Sequence, residues 1–163
     1  EADLKRTRQL FDANLSDLEA LENKLSVTPK VKFYEGEEAV MKVYEEVIKE
    51  KGFCAFVNPG VNNKVMQIYF DKIEDAIHAK KLKVKEFVID CKRGREYFRD
   101  ANTSNHKIKV LPKRVKFDSD TIITDEKVYM FSYDEREVAA VEIWNKVLAQ
   151  TQRSMFEELW GRS

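Results

Sequence analysis

The chain has 163 residues, 43% hydrophobic and 36% charged, with five Gly and three Pro. That length and apolar content suit one domain with a real core, and the charge indicates a well-solvated, helix-rich surface. The 29 basic and 29 acidic residues cancel, no run nears the roughly 20 apolar residues of a membrane span, and the opening EADLKRTRQL lacks the apolar stretch of a secretion signal.

Leu4, Phe11, Leu18 and Leu25 recur every seven residues, with Leu21 between them and no Gly or Pro to interrupt. This pattern predicts a helix of about seven turns with a narrow apolar stripe, the geometry of a coiled-coil seam over residues 1–26. Thr7 and Asn14 lie on that seam, where polar residues lower stability and fix register or partner number. Pro29 stops the helix. A strand, VKFYE, precedes Gly36, and Glu37–Lys51 reads as a helix with Val40, Tyr44, Val47 and Ile48 inward and Gly52 as its stop. FCAFV, Phe53 to Val57, has the continuous apolar character of a buried parallel strand. Asn58-Pro59-Gly60 turns the chain into a helix over Lys64–Lys81, with Ile68, Tyr69, Ile73 and Ile77 inward.

Val84–Ile89 is the next strand, followed by a short helix, Gly94–Ala101, and a polar loop, Asn102–His106. Four strands then come in quick succession: Ile108–Leu111, a piece within Val115–Thr124, Val128–Tyr133 and Val138–Trp144. Asp125-Glu126-Lys127 and Asp134-Glu135-Arg136 are turn signals between them. A last helix, Val147–Leu159, is expected to bury Val147, Leu148, Met155, Phe156 and Leu159. Alternation of strand and helix, then a meander and a closing helix, predicts an α/β domain over residues 27–163, with a mixed sheet of about seven strands and helices on both faces.

Charge is unevenly spread. Residues 80–116 hold 13 Lys and Arg against four Asp and Glu. Solvated faces are the ordinary reading of such a run, and a phosphate backbone or another anion is the sharper one. Cys54 and Cys91 are too few for a disulfide framework and lack metal-ligand spacing, so a reduced, cytoplasmic protein without metal or cofactor is expected. His78 stands on a helix and His106 beside Lys107 in a polar loop, and two histidines without partners support no zinc site and no Ser-His-Asp or Cys-His pair. No Walker loop or glycine-rich dinucleotide fingerprint is present.

TPKVKFYEGEEAVMKVYEEVI, LPKRVKF, DEKVYMFSY and the ending AQTQRSMFEELWGRS resemble, in order and spacing, the regulatory domain of TrmB-like transcriptional regulators. The resemblance covers residues 27–163. It implies a phospholipase D-like fold preceded by a coiled-coil linker, with DNA contacted only through a winged helix-turn-helix that this chain lacks. The chain thus reads as part of a longer regulator or a relative without its reader. Hydrolases of that fold carry His-x-Lys with four residues before an Asp. Aligned on this chain the pattern falls on Asp118, Asp120 and Asp125, so only the last residue matches. Carboxylates where the nucleophile and the cation belong would repel a phosphodiester, which implies no catalysis.

The expected function is therefore non-catalytic: effector sensing, with homodimerisation through Leu4, Phe11, Leu18 and Leu25. An effector, sugar or anion, is expected at the carboxyl ends of the parallel strands, where open α/β sheets leave a crevice. The first three strands, taken as the parallel ones, end near Tyr34-Glu35, Asn58 and Asp90-Cys91-Lys92, and Asp118 and Asp120 reach the same rim if the alignment holds and both point one way. The alternatives are a nucleic-acid-binding module using residues 80–116 and a residual phosphodiesterase.

Overall fold

The structure, a computed structural model, describes residues 28–61, 64–80, 82–133 and 137–163. The expected coiled-coil helix and the Asp134-Glu135-Arg136 turn lie outside the described residues. The elements run β1 (Lys30–Glu35), α1 (Glu37–Val47), β2 (Gly52–Val57), α2 (Lys64–Lys80), β3 (Lys83–Val88), α3 (Lys92–Ala101), β4 (His106–Val110), β5 (Ser119–Ile123), β6 (Lys127–Tyr133), β7 (Val138–Trp144) and α4 (Lys146–Arg162).

The seven strands form one mixed sheet in the order β1-β7-β6-β5-β2-β3-β4. β2, β3 and β4 are parallel, and β5, β6, β7 and β1 pair antiparallel. The first strand, expected among the parallel ones, instead pairs with β7 at the edge, separated from β2 by three strands, so Tyr34-Glu35 is not part of the parallel rim. Two successive crossovers step the same way across the sheet. With the right-handed preference of such units, α2 and α3 fall on one face, and α1 joins them. The strand period of two sorts side chains between the faces. Phe53, Ala55 and Val57 pack with Tyr44, Tyr69 and Ile73 under the three helices. Cys54 and Phe87 face the other way and meet Ile123 and Phe156 of α4. Helices therefore cover both faces, three against one.

Gly36 takes φ +85 between β1 and α1, a left-handed conformation that favours glycine, and its N–H donates to the Val138 carbonyl at 2.8 Å. Gly52 has a different role from the one expected. It opens β2 instead of closing α1, which already ends at Val47. A Cβ on Gly52 would lie 2.2 Å from the Lys83 carbonyl oxygen, so strand proximity selects glycine there.

Two further expectations need correction. Ile68 is exposed while Tyr69, Ile73 and Ile77 are buried, because the inward stripe of α2 is narrower than the apolar pattern suggested. In α4 only Ala149 and Phe156 are buried. Val147, at 65% exposure, and Leu148, Met155 and Leu159 face solvent among the described residues. Among the same residues, no helix is long and apolar enough to cross a membrane.

Candidate functional site

Three places carry polar chemistry: the carboxyl rim of the parallel strands, a buried cluster beneath α2 and α3, and a cleft at the opposite rim.

At the carboxyl rim β2 ends at Val57, and Asn58 begins the turn into α2. The Asn58 backbone N–H donates to Asp120 Oδ1 at 2.8 Å, and its side-chain Nδ2 donates to the Phe117 carbonyl at 2.8 Å. Asn58 Oδ1 accepts from the Gly60 N–H at 2.9 Å, closing an Asx turn. The structure thus joins Asn58 and Asp120, and both of Asn58's polar side-chain atoms are engaged within the fold. Asp90 is ion-paired with Arg95 of α3. Lys92 opens α3 behind the Cys91 cap, whose Sγ accepts from the Gly94 N–H. Lys92 and Asp118 are exposed.

The three aspartates of the hairpin separate. Asp118 precedes β5 and is exposed, whereas Asp120 lies within β5 and is 2% exposed, facing the three-helix side. The expectation that both point the same way fails because the strand begins only at Ser119. Asp125 follows β5 at its far end, where it pairs with Arg153 at 3.1 Å. At about 3.4 Å per strand residue β5 spans roughly 14 Å between its end residues, and Asp118 and Asp125 lie beyond its opposite ends.

The buried cluster joins Tyr69, expected inward on its helix, and His106, expected in a loop, to Glu86 and Tyr97, which carried no expectation. Glu86 is 0% exposed and shares the inward face of β3 with Val84 and Val88. Its Oε2 accepts from the Tyr97 hydroxyl at 2.8 Å and lies 2.9 Å from His106 Nε2, while Tyr69 donates to Oε1 at 3.4 Å. His106 is therefore not a loop residue. It opens β4 at 2% exposure, paired in register with Val84. Burial, and then the Glu86 charge, push the Tyr69 and Tyr97 hydroxyls far above the usual phenol range. Burial pushes the Asp120 carboxyl up to about 7; the Asn58 N–H works against this and the Glu86 charge adds to it. Asp120 Oδ2 has no hydrogen-bond partner among the described residues. The signal available for this cluster was Glu86 at the period-two position it shares with Val84 and Val88 in VKEFVI, the face that reads as inward. Enclosed as it is, the cluster ties α2, α3 and two strands together.

The third place is a cleft of about 230 Å³ at the amino ends of β2 and β3, lined by Cys54, Lys83, Lys85, Lys107, Arg153 and Glu157 among others. Arg153 and Glu157 come from one face of α4, four residues apart. Glu157 pairs with Lys85 at 2.6 Å, and Arg153 donates to the Ile123 carbonyl at 3.3 Å and contacts Cys54 Sγ at 3.4 Å. Burial first, and the Glu157 carboxylate after it, push the Cys54 thiol up to about 11, so it is a poor nucleophile near neutrality. Cys54 and Cys91 are both free.

A scan against protein-family models finds no match, and a sequence search of curated proteins finds none either. Among solved structures, TrmBL2, described as an archaeal chromatin protein with a novel mode of DNA binding, superposes with a TM-score of 0.48 at 16% identity. The match covers 97% of this chain, which spans 65% of the length of that one. NucT from Helicobacter pylori superposes with a TM-score of 0.57 at 10% identity, over 82% of this chain and 97% of NucT. At that identity the likeness is one of fold alone.

Proposed function

We propose that this domain is a non-catalytic regulatory module of the TrmB-like kind, which senses a small effector and works as a homodimer. One observation carries the reading. The positions that would hold a phosphodiesterase's His, Lys and Asp hold Asp118, Asp120 and Asp125, and these occupy three different environments. Asp120, where a cation would steady the developing charge, is a buried carboxyl tied to the Asn58 N–H. Phosphoryl transfer needs nucleophile and cation to converge on one phosphorus. The rim around Asn58, Asp90, Lys92, Asp118 and Asp120 remains the proposed effector site, with Lys92 and Asp118 as its exposed groups. The order of the TrmB-like segments along residues 27–163 supports the family assignment.

The test has two arms. A chromogenic phosphodiester, with and without divalent metal, is expected to show no turnover. Hydrolysis that survives purification and vanishes in Asp125→Ala or His106→Ala would establish the phosphodiesterase alternative instead. A thermal-shift screen of sugars is expected to yield a stabiliser, because a ligand held only by the folded state raises stability by mass action. Stabilisation that persists unchanged in Lys92→Ala and Asp118→Ala would place the effector elsewhere.

A further inference from the structure

The cleft at the amino ends of β2 and β3 holds more cationic charge than its surroundings compensate. Lys85 and Lys107 are register partners on adjacent parallel strands and share the face that α4 crosses, and neighbouring strands are only about 4.8 Å apart. Like charges so placed repel. Four cations line the cleft, Lys83, Lys85, Lys107 and Arg153, against the single carboxylate of Glu157. Glu157 is engaged by Lys85, and Arg153 reaches Asp125 outside the lining. Lys83 and Lys107 are exposed and form no ion pair among the described residues. Arg153 Nε is buried there without a hydrogen-bond partner among the described residues. Nearby Lys109 differs, since its Nζ donates to the Trp160 and Ser163 carbonyls at the end of α4 and so serves the helix terminus.

We infer that this cleft binds a phosphate group, with Lys83 and Lys107 as its principal contacts and Ser104 and Asn105 as neutral donors. A dianion suits the excess of three positive charges in the lining better than a carboxylate does, and it relieves the Lys85–Lys107 repulsion. The phosphate comes either from a free phosphate ester or from a nucleic-acid backbone. This site is separate from the carboxyl rim and goes beyond the regulatory reading, so its failure leaves the sugar screen unaffected.

The probes are inorganic phosphate and a duplex DNA, applied to the full chain at fixed ionic strength. Phosphate is expected to raise the melting temperature over a chloride control. The exposed pair Lys83→Gln/Lys107→Gln should weaken that binding at least about tenfold, with circular dichroism unchanged. Lys113→Gln/Arg114→Gln, in the loop before β5, is the control and should bind as the parent does. If the backbone is the source, the same cleft variant lowers the slope of log affinity against log salt by about two. If a free ester is the source, DNA affinity responds alike to cleft and control variants while phosphate stabilisation still depends on the cleft. The inference is overturned if neither phosphate nor DNA binding distinguishes the cleft variant from the control.

Discussion

Asp120 shows how one buried carboxylate sets a pH dependence. Its folded-state pKa of about 7 stands above the ordinary 3.8, so the folded chain keeps a proton that the unfolded chain releases. Stability from this group is therefore highest at low pH, falls as the pH rises through that window, and levels off above about pH 7. The loss has a ceiling of about 4 kcal/mol, from roughly 1.4 kcal/mol per pH unit. Asp120→Asn keeps an oxygen for the Asn58 N–H and places a donor where Oδ2 lacks a partner. Urea unfolding between about pH 5 and about pH 8 should show the parent losing stability relative to this variant, by an amount below that ceiling. Parallel profiles would mean that another group titrates. Gly52 poses a steric question instead: with a Cβ only 2.2 Å from the Lys83 carbonyl, Gly52→Ala should cost at least about 2 kcal/mol, measurable in the same unfolding assay. A shift below about 0.5 kcal/mol would show that the β2–β3 start can open freely.

The helix α4 illustrates what periodicity reveals and what it hides. Its existence and near-complete extent were legible, as was the alternation that produced the parallel strands. Its contacts were not. A helix is about 10–12 Å wide and strands repeat at about 4.8 Å, so one helix crossing a seven-stranded sheet leaves part of that face uncovered. Phe156 fits over Cys54, Phe87 and Ile123, while Leu159 and Met155 stay exposed. Phe156→Ala should accordingly cost about 3–5 kcal/mol, and Leu159→Ala less than about 1 kcal/mol. Comparable losses in chemical denaturation would mean that both sides of the helix are packed. Of the candidate rim, the turn at Asn58 was legible from Asn-Pro-Gly. Its bond to Asp120 was not, because the two residues meet across 62 positions of sequence. Glu86 and His106 were missed for a related reason: each looks like an ordinary polar residue until β3 and β4 are placed side by side.

The same covering argument bears on how whole chains meet. Away from α4, the same face shows Val31 and Phe33 of β1 and Met130 of β6 to solvent, Phe33 at 75% exposure. β1 is also at the edge of the seven-stranded order, with no strand beyond it among the described residues. Two apolar features therefore compete for the role of self-association surface: this open face and the Leu4, Phe11, Leu18, Leu25 stripe. The stripe is the proposed one, since a heptad seam is self-complementary along its whole length. Sedimentation equilibrium at micromolar concentration should give a dimer for the full chain. A chain beginning at Val27, and a full-length Phe11→Asp/Leu18→Asp variant, should both sediment as monomers. Equal masses for all three proteins would reject the stripe. A dimer that survives in both altered chains and dissociates on Phe33→Ser would move the interface to the open sheet face. In that case the two copies would meet through the same element that carries β1, and the N-terminal stripe would not set the oligomeric state.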